Sequence, residues 1–341
     1  MKRLVLALTA GLLWFSFANA WAASRIPVLI LDGESAAPYH NWQAITPVLK
    51  KELEEVGMFD VEVLTAPPKG ADFSDFHPDW SKYRVIVFNY DAPDDRWPDS
   101  VKQSFETYMK NGGGLVTVHA ADNAFPHWEA YNEMIGVGGW RGRDQTSGPH
   151  WIWKDGKLTA DNTPGRAGQH GQRLPFLVTA RNSTHPIMAG LPKTWMHQGD
   201  ELYANLRGPG KMTVLATAYS DPANHGTGDD EPMVMVSQFG KGRVLHTTWG
   251  HDVMALSSDD AVVIFQRGVE WAATGKVTQR VPQGFPTANT VSYRADLESM
   301  DPNAKKGLNA FDVNPPARQG FPGGGPPRQP PAQPPAQPQQ H

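Results

Sequence analysis

The sequence predicts an α/β fold in which a parallel sheet is wrapped by helices. Two observations carry this. Short, almost wholly apolar runs recur at residues 26–31, 84–89 and 115–118, as strands buried on both faces require. Helical patterns separate them at short spacing, in the order strand, helix, strand, strand, helix, strand.

The first run, 26–31, ends in Asp32-Gly33-Glu34. A helix with apolar positions Val48, Leu49, Leu53 and Val56 follows, with Thr46 as its expected N-cap, Pro47 as its first residue and Gly57 as its stop. Residues 61–64 read as a second strand, and 84–89, ending in Tyr90-Asp91, as a third. An amphipathic helix over 101–110 stops at Asn111-Gly112-Gly113, and 115–118 is a fourth buried strand leading to His119-Ala120. Residues 136–175 carry few strand or helix signals and read as a long loop; Trp140, Trp151 and Trp153 argue that it is ordered. Strands resume at 176–178 and 212–218. Residues 234–237 and 243–246 flank a hairpin signature, and 261–273 form a last helix. A domain over 26–275, an extended strap over 276–314 and a disordered Pro/Gln/Gly-rich tail over 315–341 complete the layout.

At the other end, Lys2 and Arg3, an apolar stretch and Ala18-Asn19-Ala20 form the pattern of a cleaved signal peptide over 1–20. A periplasmic or secreted protein, free of the membrane after cleavage, is expected. The chain has no cysteine, which excludes disulfides and thiol chemistry. Its net charge of -4 argues against nucleic acid as a partner.

In parallel α/β sheets, ligands bind beyond the carboxyl ends of the strands. That rule selects Asp32, Gly33, Asn89, Asp91, His119 and Asp122. His40 joins them on the first strand-to-helix loop. The glycine turn, buried strand and polar corner ending at His119 have the layout of a nucleophile elbow, where an amidotransferase would hold cysteine. His251, in Trp249-Gly250-His251-Asp252, marks a second histidine corner. Asp200-Glu201-Leu202-Tyr203 sets two carboxylates beside an aromatic, suited to acid–base work or a metal, with a solvated turn as the alternative. His185 lies in a turn-rich segment and could line a site. His150, His170 and His197 read as surface or loop residues. No zinc-helix spacing, phosphate loop or dinucleotide turn occurs, so no nucleotide is expected; a divalent cation is left open. Tryptophan faces such as Trp151 and Trp153 suit the apolar C–H faces of sugars.

Six segments in order then resemble one family. They are His40-Asn41-Trp42, residues 113–122, residues 185–192, Asp200-Glu201-Leu202-Tyr203, residues 240–244 and Gly250-His251. Together they are similar to the ThuA-like, trehalose-utilisation family over about 26–275. The resemblance implies a flavodoxin-like fold of the class I glutamine amidotransferase type, mostly parallel with helices on both faces, lacking the amidotransferase cysteine. It also implies a role with small carbohydrates, among them 3-keto glycosides, and a functional link to a sugar dehydrogenase. On these grounds an enzyme acting on oxidised sugars as a hydrolase, lyase or isomerase is expected. His119 is the expected base, His251 or Glu201 the acid, and Asp200 the orienting group. Asp32, Gly33, His40, Asp122, Trp151, Trp153, His185 and Tyr203 are the expected substrate contacts. A non-catalytic sugar-binding module is the alternative.

Overall fold

The computed structural model describes residues 25–35 and 39–301. The expected signal peptide and proline-rich tail lie outside the described residues. Among these, no helix is long and apolar enough to cross a membrane.

The chain runs through β1 (Ile26–Asp32), α1 (Trp42–Glu55), β2 (Phe59–Thr65), β3 (Val85–Phe88), α2 (Asp99–Lys110), β4 (Gly114–Val118) and α3 (Glu129–Ile135). It continues with β5 (His150–Lys154), β6 (Lys157–Asp161), β7 (Leu174–Ala180), β8 (Thr194–Asp200), β9 (Thr213–Tyr219), β10 (Asp230–Phe239) and β11 (Gly242–Thr247). Three helices close it: α4 (Val253–Leu256), α5 (Asp259–Thr274) and α6 (Ala295–Glu298).

The sheet order is β2-β1-β3-β4-β11-β10-β9-β7-β8, with the β5–β6 hairpin attached to β10. From β2 to β11 every pair is parallel. Beyond β11 every pair is antiparallel. The sheet is therefore mixed rather than mostly parallel. The reason is local: β10 and β11 are joined by a tight turn at Gly240-Lys241, and a hairpin enforces antiparallel pairing. The parallel half has helices on both faces. Val28, Ile30, Val85, Val87 and Val116 pack toward α1 and α5, while Leu29, Leu31, Ile86, Phe88 and Leu115 pack toward α2 and α3. This is the strand alternation at work, with both sets apolar because both faces are covered.

Several boundaries differ from the sequence reading. Helix α1 starts at Trp42, and Pro47 sits inside it. Thr46 does not cap: its hydroxyl donates to Asp32 Oδ2 at 2.7 Å and accepts from Asn89 at 3.0 Å. Residues 150–161 form a hairpin within the expected loop. Its Asp155-Gly156 turn has both φ angles positive, 51° and 78°, the turn chemistry that joins two strands directly. Strand β8 and helix α3 were also not anticipated. The segment after α5 is not wholly extended, because it includes α6, whose Leu297 is buried.

One core residue runs against its surroundings. Glu52 of α1 is fully buried, and neither carboxyl oxygen has a hydrogen-bond partner. Burial, reinforced by Glu55 and only partly offset by Arg294, raises its pKa well above the ordinary carboxylate range. The folded chain thus keeps a proton that the unfolded chain releases above about pH 4.5, so this residue costs stability as pH rises. Glu52→Leu is expected to stabilise the fold by about 1–3 kcal/mol at pH 8 and by less at pH 4. Denaturant unfolding at the two pH values would reveal it, and an equal effect at both would contradict the account.

Candidate functional site

Strands β1, β4, β8 and β11 all point the same way: β8 is antiparallel to β7, which is antiparallel to β9, and so back to β11. Their carboxyl ends therefore face one edge. In a flat sheet β8 would lie four strand spacings, about 19 Å, from β11. Instead, Asp200 at the end of β8 accepts a hydrogen bond from Gly250 N at 2.7 Å, just beyond β11. The antiparallel half curls back on itself and closes a pocket over the parallel half.

Four side chains converge there. His40 comes from the loop before α1, His119 from the end of β4, Glu201 from the end of β8 and His251 from the loop after β11. The three imidazole centroids lie 5.0, 4.9 and 5.5 Å apart. Glu201 Oε2 is shared among three histidines, at 3.6 Å from His119 Nε2, 3.0 Å from His251 Nδ1 and 3.7 Å from His170 Nε2. Each of His40, His119, Glu201 and His251 offers one ligand atom within 4.8 Å of the others, a set able to hold a metal ion.

His119 stands at the corner expected of it. Its φ of 46° is left-handed, which is costly for a residue with a side chain and turns the ring out of the strand line into the pocket. Its Nδ1–H donates to Thr248 O at 2.7 Å, which directs Nε2 at Glu201. Burial opposes charge on this ring, but Glu201 and Asp200 outweigh it and raise the pKa above the ordinary value. Burial also opposes charge on Glu201. His251, His119 and His170 prevail and hold its pKa well below the ordinary range. His40 is pushed far down by burial and by its two histidine neighbours, so it is neutral. Tyr203 lies with its ring 3.9 Å from His119 and its hydroxyl 3.3 Å from His40 Nε2.

Asp200 is not a solvated turn residue, nor does it face the pocket as a reacting group. Its carboxylate is consumed in positioning: it accepts from the backbone N–H of Gly250, His251 and Glu201 and pairs with His197. Gly250 has φ 115°, and a Cβ there would meet Leu256 and Val118 at 3.0 Å, so this aim of its N–H needs glycine. His197, expected as a surface or loop residue, is fully buried in β8. Its Nδ1 lies 2.9 Å from Asp260 Oδ2, and Trp195 Nε1–H donates to the same oxygen. His150 is likewise buried, paired with Glu231 at 2.9 Å.

Other expected site residues are drawn elsewhere. Asp32 is held by Thr46, and Gly33 is needed because a Cβ would lie 2.6 Å from Ala66 O, a backbone contact rather than a ligand approach. Asp122 faces His246 at 3.5 Å, and Asp91 takes a bidentate pair from Arg141 at 2.6 and 3.0 Å. Trp151 packs in a side cluster with Val137 and Val214, its indole N–H donating to Gly208 O; Trp153 lies under Arg181. Both belong to the cluster that includes Tyr203, the ring beside His119. His185 packs on Trp271, far from the pocket, its pKa lowered to about 4 by burial.

Two residues that the sequence reading did not assign to a site belong here. The His170 ring lies beside Tyr203 and Trp140, and its Nδ1–H donates to Gly171 O at 2.9 Å. Trp140 rests 4.4 Å from Tyr203 and, with Arg141, has a left-handed backbone. Two adjacent non-glycine residues in that region were the kind of signal only coordinates supply.

A family model described as ThuA, trehalose utilisation, matches residues 27–272, and the chain belongs to that family. Its fold is glutamine amidotransferase-like. The chain is similar to the crystal structure of a ThuA-like protein from Parabacteroides merdae, with 43% identity and a TM-score of 0.77 over 80% of this chain and 99% of that one. A ThuA-like protein from Bacteroides uniformis aligns at 20% identity and a TM-score of 0.48, over 76% of this chain and 97% of that one. No curated protein matches the sequence.

The buried ion pair behind the pocket generates a prediction. His197 has its pKa raised to about 9: burial opposes its charge, but Asp260 and Asp200 prevail. Because the folded value lies above the unfolded one, this stabilisation is complete below about pH 6.5 and is lost as pH rises through 9. His197→Phe is expected to cost about 3–5 kcal/mol at pH 6, with the deficit shrinking toward pH 9. Unfolding of both proteins across that range tests this, and a pH-independent deficit would contradict it.

Proposed function

We propose that this protein is a carbohydrate-active enzyme acting on glycosides or their 3-keto derivatives by histidine and carboxylate acid–base chemistry. The observation that carries the reading is the convergence of His40, His119 and His251 on Glu201 at the carboxyl ends of four strands. A ketone acidifies the neighbouring C–H, and removal of that proton opens elimination, hydrolysis and isomerisation alike. His119 and His170 each commit Nδ1–H to a backbone carbonyl and turn Nε2 toward Glu201, which orients both rings into the pocket. The family description, trehalose utilisation, supports sugar as the substrate class.

A cavity of about 140 Å³ is lined by Gly171, Phe176, Asp200, Leu202, Tyr219 and Asn224, chain neighbours of His170 and Glu201 among them. Tyr219 is 54% exposed. An exposed aromatic next to asparagine suits a sugar ring, with an apolar face to stack and hydroxyls to bond. It takes the place of Trp151 and Trp153 in the proposal. Export through residues 1–20, and a sugar dehydrogenase as supplier of the ketone, complete it.

The test is a proton NMR time course of the purified protein with 3-keto glucosides in D2O. Wild type is expected to exchange the C–H next to the ketone and form product. His119→Ala and Glu201→Gln are expected to lose about 100-fold or more of that rate. Saturable line broadening with neither exchange nor product would instead identify a sugar-binding module. Undiminished turnover in His119→Ala would remove the assignment of this pocket.

A further inference from the structure

We infer that His40, His119, His251 and Glu201 form a binding site for one divalent first-row transition-metal ion. The assignment rests on the preceding reading only in taking this pocket as the reactive site, and a bound ion would claim His119 and Glu201 as ligands, leaving acid–base work to a group outside the set; the metal argument itself is geometric.

Four observations converge. First, the ligand atoms lie within 4.8 Å of one another although they come from four separate segments. Around an ion with bonds of about 2.1 Å, neighbouring ligands stand about 3.0–3.4 Å apart and opposite ones about 4.2 Å. Glu201 Oε2 is 3.0 Å from His251 Nδ1 and 3.6 Å from His119 Nε2, close to the spacing of neighbouring ligands, while the widest pair of the set, at up to 4.8 Å, would draw in by roughly half an ångström or more around an ion. Second, the imidazoles do not satisfy themselves within the protein. His119 Nε2, His251 Nδ1 and His40 Nδ1 are buried atoms without hydrogen-bond partners. His119 is only 2% exposed and His40 7%, so solvent does not supply the lack. His251 Nδ1 lies within bonding distance of the carboxylate yet makes no hydrogen bond to it. Orphaned buried nitrogens cost stability unless something accepts their lone pairs.

Third, the surrounding shell is that of ligand residues. His119 donates Nδ1–H to the Thr248 carbonyl at 2.7 Å, which fixes the tautomer with Nε2 bare. The backbone of Glu201 and of His251 is fixed by Asp200 at 2.7 and 3.2 Å. Fourth, the charges suit a dication: one carboxylate in the cluster and Asp200 behind it offset two positive charges.

Three nitrogens and one oxygen select among ions. Imidazole favours zinc, copper, iron or nickel over calcium and magnesium, which take oxygen ligands. The open coordination side is also visible. Side-chain exposure rises from His119 at 2% and Glu201 at 6% to His251 at 13% and His170 at 27%. Substrate oxygen would enter on the His170 side. His170 is not one of the four and remains the imidazole free to carry a proton there.

The experiment is metal analysis of the full-length protein, stripped with chelator, reloaded with Zn2+, Mn2+ or Co2+ and freed of excess by gel filtration. Wild type is expected to retain about one ion per chain, with a Co2+ visible spectrum and a rise in Tm. His119→Ala and the near-isosteric Glu201→Gln are expected to lose that retention. Asp200→Asn is expected to weaken it about 10–100-fold. His185→Ala, remote from the pocket, should match wild type. Folding of each variant is checked by circular dichroism. Wild type that retains no ion, or a folded Glu201→Gln that retains as much, overturns the site. The two readings separate cleanly. Full metal retention without any sugar chemistry would leave the site standing and remove the proposed reaction, whereas sugar turnover unaffected by chelator would do the reverse.

Discussion

The Asp200 carboxylate is the constraint on which the pocket depends. The sheet has two halves of different character, parallel up to β11 and antiparallel beyond it. Nothing in strand pairing alone brings the far edge, β8, back over the carboxyl ends of β4 and β11. Asp200 does so by accepting N–H groups from Gly250 and His251 on one side and from its own neighbour Glu201 on the other. A buried carboxylate is costly unless its lone pairs are used, and here they are. The same bonds that close the sheet also set the backbone of two of the four converging side chains. Closing the fold and building the site are one event.

That arrangement concentrates negative charge. Asp200, Glu201 and Asp260 are all buried at one end of the sheet. His197 sits between Asp200 and Asp260, which explains both its raised pKa and its burial. Trp195 and Ser258 supply the remaining donors to Asp260. Glu201 has no such partner behind it. Its neighbours are the imidazoles of the pocket, so its charge is balanced from the front, where a ligand would enter. One carboxylate is spent on structure and its sequence neighbour is left for chemistry, because the last residue of β8 points into the protein and the next points across the pocket.

The parallel half of this fold was legible in the sequence because buried strands and glycine-terminated helices leave strong periodic signals. Of the residues that the strand-end rule selected, His119 meets the site; His251 came from a second histidine corner and Glu201 from a pair of carboxylates beside an aromatic, and these three do converge. The antiparallel half was less legible. Its strands alternate weakly, and β8 (Thr194–Asp200) includes a histidine, a glutamine and a glycine that read as loop. Its polar residues face buried partners from distant segments, which no local pattern reveals. His197 is the clearest case: its burial depends on Asp260, 63 residues away. Trp151 and Trp153 were hard to place for the opposite reason. Aromatic content marked the segment as important, but its Asp155-Gly156 turn makes a hairpin, and the pleat sends those rings to a side core.

The 136–175 segment still reaches the pocket, through its two ends rather than its hairpin. Trp140 enters at the start, on a left-handed backbone that lays it against Tyr203; His170 enters at the end. Between them, Ala167 and Gln169 bond across to Arg143 and Ala204, so the two ends are tied to the scaffold while the hairpin extends away and pairs with β10. The deep groups, His40, His119 and Glu201, come from the sheet edge and are nearly sealed. The accessible groups come from this loop. Such a division lets the loop vary in what it admits while the Asp200 bonds that close the sheet stay in place, since Trp140 and His170 meet the deep cluster only through Tyr203 and Glu201. Reactivity is thus set by the parallel sheet and its closure, and selectivity by the segment laid over it.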